Sequence, residues 1–448
     1  MKNTENKNEY AQGLITFLNG APTAFHAVAQ LEEMLKEQGF VALSEHDAWT
    51  LQCGGRYYVT RNQSSLLAFT LPSDTQAAFG YRVVAAHTDS PAFKLKDICD
   101  RPAEGYCKLN VEKYGGMLCS SWMDRPLSIA GRAYVSTEHG VAMRRVDFEK
   151  PMAIIPNVAI HMDRNANDGK SYNAQVDMLP LLGLKNENSG FKKQLADEIG
   201  VQEEQILSHD LYLYVKQSGY VWGKENELLS APRLDDLACV YGAVVAFLQG
   251  LEKQGTSIRI LAAFDNEEVG SQTLQGAASS FLEDTVERIE YFLGNGAKSA
   301  EAMHARLANS LMLSADNAHA VHPNHPEFAD AQNRPVIGNG VVLKFNAQQR
   351  YATDAVGAAL LRAITERAGL KLQSYANRSD IPGGSTLGNI ASTRIPLRTI
   401  DIGLPQLAMH SAFETMGVSD LADYVVACEA FFGARVQVTA EGGYEFEL

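Results

Sequence analysis

The sequence predicts an α/β protein, a mostly parallel sheet covered by helices and interrupted by a β-rich insertion. Three observations lead there. At both ends of the chain, apolar runs of strand length alternate with helix-period segments, the pattern of strands buried on both faces. From about Asp100 to about Ala231 the texture changes to short alternating runs broken by Gly, Asn and Asp clusters. The first pattern then resumes at Leu234. The expected division is one discontinuous α/β domain, residues 1–99 and 232–448, with residues 100–231 inserted as a β-rich assembly unit.

The elements follow in order. Tyr10 to Leu18 spaces apolar residues helically until Asn19-Gly20-Ala21-Pro22 breaks the pattern. His26 to Gln38 carries Val28, Leu31, Met34 and Leu35 on one face, with Gly39 as the residue past its end. Ser65–Thr70 and Tyr81–Ala86 read as strands, and His87-Thr88-Asp89-Ser90-Pro91 follows the second at once. In the middle region, Leu127–Ala130 and Leu211–Val215 read as strand segments, and Asn165–Asn173 as a long polar loop. Leu237, Tyr241, Val244, Leu248 and Leu251 then fall at helical spacing, with Gly255 beyond. Strands are expected at Ile258–Phe264, Ser310–Ala315, Val341–Phe345 and Ile395–Ile400. Helices are expected at Ala277–Glu290, Asp354–Ala368 and Leu421–Phe432.

Bulk properties narrow the class. A length of 448 residues fits two or three domains. The net charge of −14 and the lack of a basic run argue against nucleic acid as a partner. The first nine residues are polar and lack the apolar core of a signal peptide. No uninterrupted apolar run is long enough to span a bilayer, so no membrane partner is expected. Six scattered cysteines without a C-x-x-C pair read as reduced thiols, which points to the cytoplasm and away from cysteine-ligated zinc.

Ligands of open α/β sheets bind at the carboxyl ends of the strands. The most informative stretch is Ile258 to Ser271, where an apolar strand ends in Glu267-Glu268 and then Gly270-Ser271. Neighbouring side chains diverge there, so one carboxylate can bind a metal while the other holds a water. Three other strand-end candidates are His87, Asp316 and His410, and Asp235-Asp236 opens the helix at Leu237. Taken singly, each has an ordinary reading. His87 would be a hydrogen-bonded structural histidine, Asp235 or Asp236 an N-cap, and Asp316 a turn initiator. Together, two histidines and several carboxylates at strand ends form the ligand set of a paired zinc site.

These residues carry a resemblance. The chain resembles the aspartyl aminopeptidase family of di-zinc metallopeptidases. The matching segments are Ala86-His87-Thr88-Asp89-Ser90-Pro91, Pro232 to Leu237 and Asp265 to Ser271. Ser314 to Asn324, Gln349-Arg350-Tyr351 and Met409-His410-Ser411 complete them. They run in family order across nearly the whole chain. Two segments depart from the family pattern: Ala21 to His26 stands where a Ser-Pro-Ser/Thr-Pro-type run is usual, and Leu234-Asp235-Asp236 replaces Leu-Asp-Asn.

The resemblance implies two zinc ions per subunit, with Mn2+ or Co2+ as other divalent possibilities. His87 and Asp316 would hold the first, Glu268 and His410 the second, and Asp235 would bridge them. Glu267 would be the general base. His319, Lys344 and Tyr351 would contact substrate, Lys344 pairing with an acidic group and Tyr351 donating to the oxyanion. For Lys344, a solvated surface lysine is the ordinary alternative. A histidine placed like His161 reaches a neighbouring subunit's active site in related enzymes; metal binding or a strand position are its alternatives. His322 and His325 read as turn structure, and Pro382 to Gly388 as a loop that lets backbone approach the substrate. The implied reaction removes the N-terminal residue, an acidic one, from peptides with a free N-terminus. The implied assembly is a homo-oligomer, a tetrahedral dodecamer. A preference for neutral or apolar residues, a di-zinc deacylase or carboxypeptidase on the same core, and a catalytically silent metal-binding scaffold stay open.

Overall fold

The computed structural model describes residues 2–74, 78–185, 190–252, 255–294, 300–439 and 441–447. Its centre is a nine-stranded sheet. In spatial order the strands are Val41–Leu43, Arg56–Arg61, Ser65–Thr70, Ile258–Phe264, Tyr81–His87, Leu311–Ala315, Arg398–Gly403, Val342–Phe345 and Gln373–Ala376. The middle four are mutually parallel. Antiparallel pairings flank them on both sides, so the sheet is mixed.

Burial on both faces explains the unbroken apolar runs. Along Tyr81–His87, Val84 and Ala86 enter one core while Val83 and Ala85 enter another. Side chains alternate across a strand, so a sheet covered on both sides needs apolar residues at every position. The first core packs the sheet against the helices Lys2–Gly20, Ala24–Glu37, Leu234–Gln249, Ala355–Arg367 and Val418–Gly433. The second packs it against Phe281–Leu293 and Leu387–Ala391.

The Leu234–Gln249 helix lies beneath the site. With the turn that follows, Leu234–Glu252 is long and apolar enough to cross a membrane, but 78% of that window is buried inside the fold. Gly242 lets it approach the Val418–Gly433 helix closely, since a Cβ there would stand 2.5 Å from the Tyr424 ring.

A second, six-stranded sheet is antiparallel throughout. Its order is Gly140–Asp147, Leu127–Thr137, Ile206–Val215, Ala92–Ala103, Tyr106–Tyr114 and Leu181–Leu184. It has its own core, built on Phe93, Trp122, Ile129 and Leu211 and closed by the helix Phe191–Ile199. That helix was not expected in a region read as β-rich. The Ala92–Ala103 strand runs across residue 100 without a break. A third sheet joins Tyr220–Trp222, Leu228–Ala231, Glu414–Gly417, Pro405–Leu407 and Ala318–His319.

Several boundaries differ from the sequence reading. The strand expected at Ile395–Ile400 is Arg398–Gly403, because Ile395 and Leu397 pack as loop residues into the second core. Asp354, expected inside a helix, caps it instead, accepting the Gly357 N–H.

Candidate metal centre

Register brings the site together. Phe264 lies opposite His87, and Ser314 opposite Ala85, so three parallel strands end at one rim. His87 closes the first. Asp265 to Glu268 follow the second, and Asp316 follows the third. Asn266, with φ of 60°, turns the chain so that Glu267 and Glu268 fall in a short 3-10 turn. Asp235 and Asp236 interrupt the start of their helix with non-helical backbone angles and are joined by a cis peptide. The regular helix therefore starts at Leu237, directly after the two aspartates.

The side chains converge. His87 Nε2 stands 3.4 Å from Asp235 Oδ1 and 3.9 Å from Asp316 Oδ1. His410 Nε2 stands 3.6 Å from Asp235 Oδ2 and 3.4 Å from Glu268 Oε2. Asp235 therefore faces both histidines, one oxygen to each. His87, Asp235, Asp236 and Asp316 offer ligand atoms within 4.8 Å of one another, and so do Asp235, Glu268 and His410. Glu267 groups with His87 and Glu268 by the same distance.

These groups fit divalent cations. Asp235 Oδ1, Asp236 Oδ1 and Glu268 Oε1 are buried and have no hydrogen-bond partner among the described residues. Buried carboxylate oxygens without donors are costly unless a cation faces them. The donor set is imidazole and carboxylate with no thiolate, which suits zinc, manganese or cobalt. The two groups are consistent with a di-zinc site.

The electrostatics carry the same mark. Burial raises the Glu267 carboxyl to about 8, and Asp316, Asp89 and Asp235 add to the rise while His87 opposes it. Burial and the Asp235 charge push Glu268 well up. Burial also works to raise Asp316, but Lys344 and His87 overcome it and hold that carboxyl at about 2. Burial disfavours charge on His87, yet Asp236, Asp235, Asp316 and Asp89 around it raise its pKa well above normal.

Supporting residues that the sequence reading missed hold these ligands. Asp89 accepts the N–H groups of both Glu267 and Glu268 at 3.1 Å and the Tyr114 hydroxyl at 2.7 Å. The His-Thr-Asp spacing after a strand was a usable signal for it. His87 Nδ1 lies 3.1 Å from the Asp89 carbonyl, which orients the ring. Asp236 Oδ2 accepts the His87 N–H at 3.1 Å.

A cavity of about 760 Å³ opens over the ligands. Lys344 and Tyr351 line it and are buried, so Lys344 is not the solvated surface lysine of the ordinary reading. Lys344 Nζ lies 3.6 Å from Asp316 Oδ2 and 5.3 Å from the Tyr351 ring centre. His319 lines the same cavity, exposed at its mouth. Gly384, Ser385 and Thr386 bring the glycine-rich loop to its wall. His161 does not join them. It is exposed in a turn, outside any strand, and no metal-type group among the described residues contains it. His322 and His325 pack against each other with tilted rings in a loop, and neither lines the cavity.

Comparison with known proteins gives this geometry its class. The model of the family described as Aminopeptidase I zinc metalloprotease (M18) matches residues 17–432. A "Probable M18 family aminopeptidase 2" of Clostridium novyi is 42% identical over 423 residues, covering 93% of this chain and 96% of that one. The cryo-EM structure of the Ape4 and Nbr1 complex superposes with a TM-score of 0.92 at 35% identity, covering 96% of this chain and 86% of that one. The S. cerevesiae mApe1 dodecamer structure gives 0.83 at 30% identity, covering 95% and 97%. Fold and site define a zinc-dependent aminopeptidase. The chain belongs to the M18 family of zinc metallopeptidases.

Proposed function

We propose that the chain is an aspartyl aminopeptidase, removing an N-terminal Asp or Glu from peptides with a free amine. The observation that carries the acidic preference is Lys344. It is the one lysine or arginine among the described residues lining the cavity, and it is buried there. A buried ammonium at the pocket wall favours an anionic side chain, and its partner Asp316, at 3.6 Å, would share its own charge with a bound cation.

The ligand assignment is the one the family resemblance implies, and the distances support it. His87 and Asp316 would hold one ion and Glu268 and His410 the other, with Asp235, which faces both histidines, serving both. Zinc bound there would supply a Lewis acid for the scissile carbonyl and lower the pKa of a water towards neutrality. Glu267 takes the proton of that water on its carboxylate and delivers it to the leaving amine. Burial raises Glu267 most; cations beside Asp235 and Asp316 would remove the part those carboxylates add and bring it nearer to a base that works at neutral pH. Tyr351 donates its hydroxyl to the tetrahedral oxyanion. Lys344 takes the acidic side chain, and His319 closes the mouth of the pocket.

Substrate choice is read from rates on aspartyl, glutamyl and leucyl anilides. Asp and Glu are expected to exceed Leu in kcat/KM by at least about tenfold, which is about 1.4 kcal/mol of differential binding. A leucyl rate far above the aspartyl one would sink the acidic preference.

Residues 100–231 form the assembly unit in this reading, and the chain works in the cytoplasm as a homo-dodecamer; the S. cerevesiae mApe1 structure is itself described as a dodecamer. Its turn segment exposes Val158, Ile160, Met162 and Val176, apolar surface suited to a neighbouring copy, and His161 among them reaches that copy's cavity. Light scattering on the purified protein is expected to give a dodecamer mass, and a monomer mass would end the proposal.

A further inference from the structure

Glu414 stands outside the ligand sets, yet it joins them. Its carboxylate is 2% exposed. Oε2 accepts the Asp235 N–H at 3.0 Å, and Oε1 accepts the His410 N–H at 2.8 Å. One side chain thus fixes the backbones of two ligands that come from distant parts of the chain. The pairing of Ala231 with Glu414 in the third sheet sets it beside the entry to the Leu234–Gln249 helix.

His410 needs such a hold. Its φ is 65° and that of Ala408 is 56°, both left-handed without glycine. Residues in such regions are strained and persist only where their surroundings over-determine them. Three bonds do so here. Besides Glu414, the Leu118 N–H donates to the His410 carbonyl at 3.0 Å, and the Ala412 N–H donates to Ser121 Oγ at 2.8 Å. Both come from the segment after the Tyr106–Tyr114 strand. That segment also closes on the neighbouring ligand, since a Cβ on Gly115 would stand 3.1 Å from the Cβ of Glu268.

The first ion's ligands are held differently. His87 is fixed by Asp236 and Asp89, and Asp316 by Lys344. The Asp235 carbonyl also accepts the Ser90 hydroxyl at 2.6 Å, independently of Glu414.

We propose that Glu414 is a positioning residue for the second metal ion, setting the His410 loop against Asp235 so that Asp235, Glu268 and His410 close on one cation. The inference rests on the ligand assignment proposed above. Glutamine keeps the shape of this side chain but can accept only one of the two N–H groups. Its own amide would meet the other as donor against donor.

The test is a buffered zinc titration of the metal-free protein, counting bound zinc per chain. Wild type is expected to fill in two steps. Glu414→Gln should fill the first step as wild type does and weaken the second by about 10–100-fold, the usual effect of a residue that orients a ligand. Excess zinc should then restore the second ion. Ser121→Ala, at a half-buried surface position, should shift the second step alone and by less; it decides the matter where Glu414→Gln does not fold. An unshifted second step, or two steps weakened together, would overturn the inference. A wild type that binds no second ion would overturn the ligand assignment beneath it, a result distinct from a Glu414→Gln variant that titrates like wild type.

Discussion

Glu267→Gln is expected to lower kcat by about 10²–10⁴-fold, the contribution typical of a positioned general acid–base group, while two zinc ions stay bound. The geometry separates the two effects. The ligand distances are made by His87, Asp235, Asp316, Glu268 and His410, and Glu267 is needed for none of the His87–Asp235, His410–Asp235 or His410–Glu268 approaches. Its backbone N–H stays on Asp89 whatever its side chain is, so the turn that aims Glu268 survives the substitution. Glutamine fills the same space but cannot take a proton. Steady-state kinetics with zinc measured on the same sample reads both quantities. Full activity in Glu267→Gln would remove the general-base role, and loss of zinc would make Glu267 a ligand.

Asp235→Ala is the second large effect. Asp235 faces both histidines, so its removal takes a ligand from each ion at once. The variant is expected to hold less than one zinc per chain and to show no turnover. It should also lose the stabilisation that zinc gives the fold. A site filled at a thousand times its Kd stabilises the native state by about 4 kcal/mol per ion. Wild type should therefore melt several degrees lower after chelation, whereas Asp235→Ala should melt at one temperature with or without zinc. Thermal melts across a zinc series check this; an Asp235→Ala melt that still rises with zinc would show that Asp235 does not bridge.

Much of this was legible in the residues because burial leaves a strong trace. The runs at Tyr81–His87 and Ile258–Phe264 are buried at every position and apolar at all but Arg82, His87 and Arg259, as a sheet covered on both faces favours, and each ends where chemistry begins. The direction of the flanking strands was not legible. Ser65–Thr70 reads the same whether it pairs parallel or antiparallel, since only the connections decide that. The Phe191–Ile199 helix carried its signal in Phe191, Leu195 and Ile199 at four-residue spacing, but short strand runs around it masked the period.

In the site, the ligand types and their strand-end positions were readable one by one. Their supports were not. Asp89 and Glu414 act by accepting backbone N–H groups from residues far away in the chain, and no local pattern encodes such a partner. The ordinary reading of Lys344 failed for a similar reason. Its burial depends on Asp316, brought beside it from the end of another strand, and on Tyr351, from the bend that follows its own strand. His161 differs again: its surroundings in one chain are solvent, and a role for it needs a second copy.

The division of labour between Glu267 and Glu268 is the central claim, and diffraction at the zinc absorption edge tests it most directly. Two anomalous peaks are expected, one between His87 and Asp316 and one between Glu268 and His410, with Asp235 touching both and Glu267 touching neither. A peak bonded to Glu267, or Glu267 turned out of the cavity, would contradict the account.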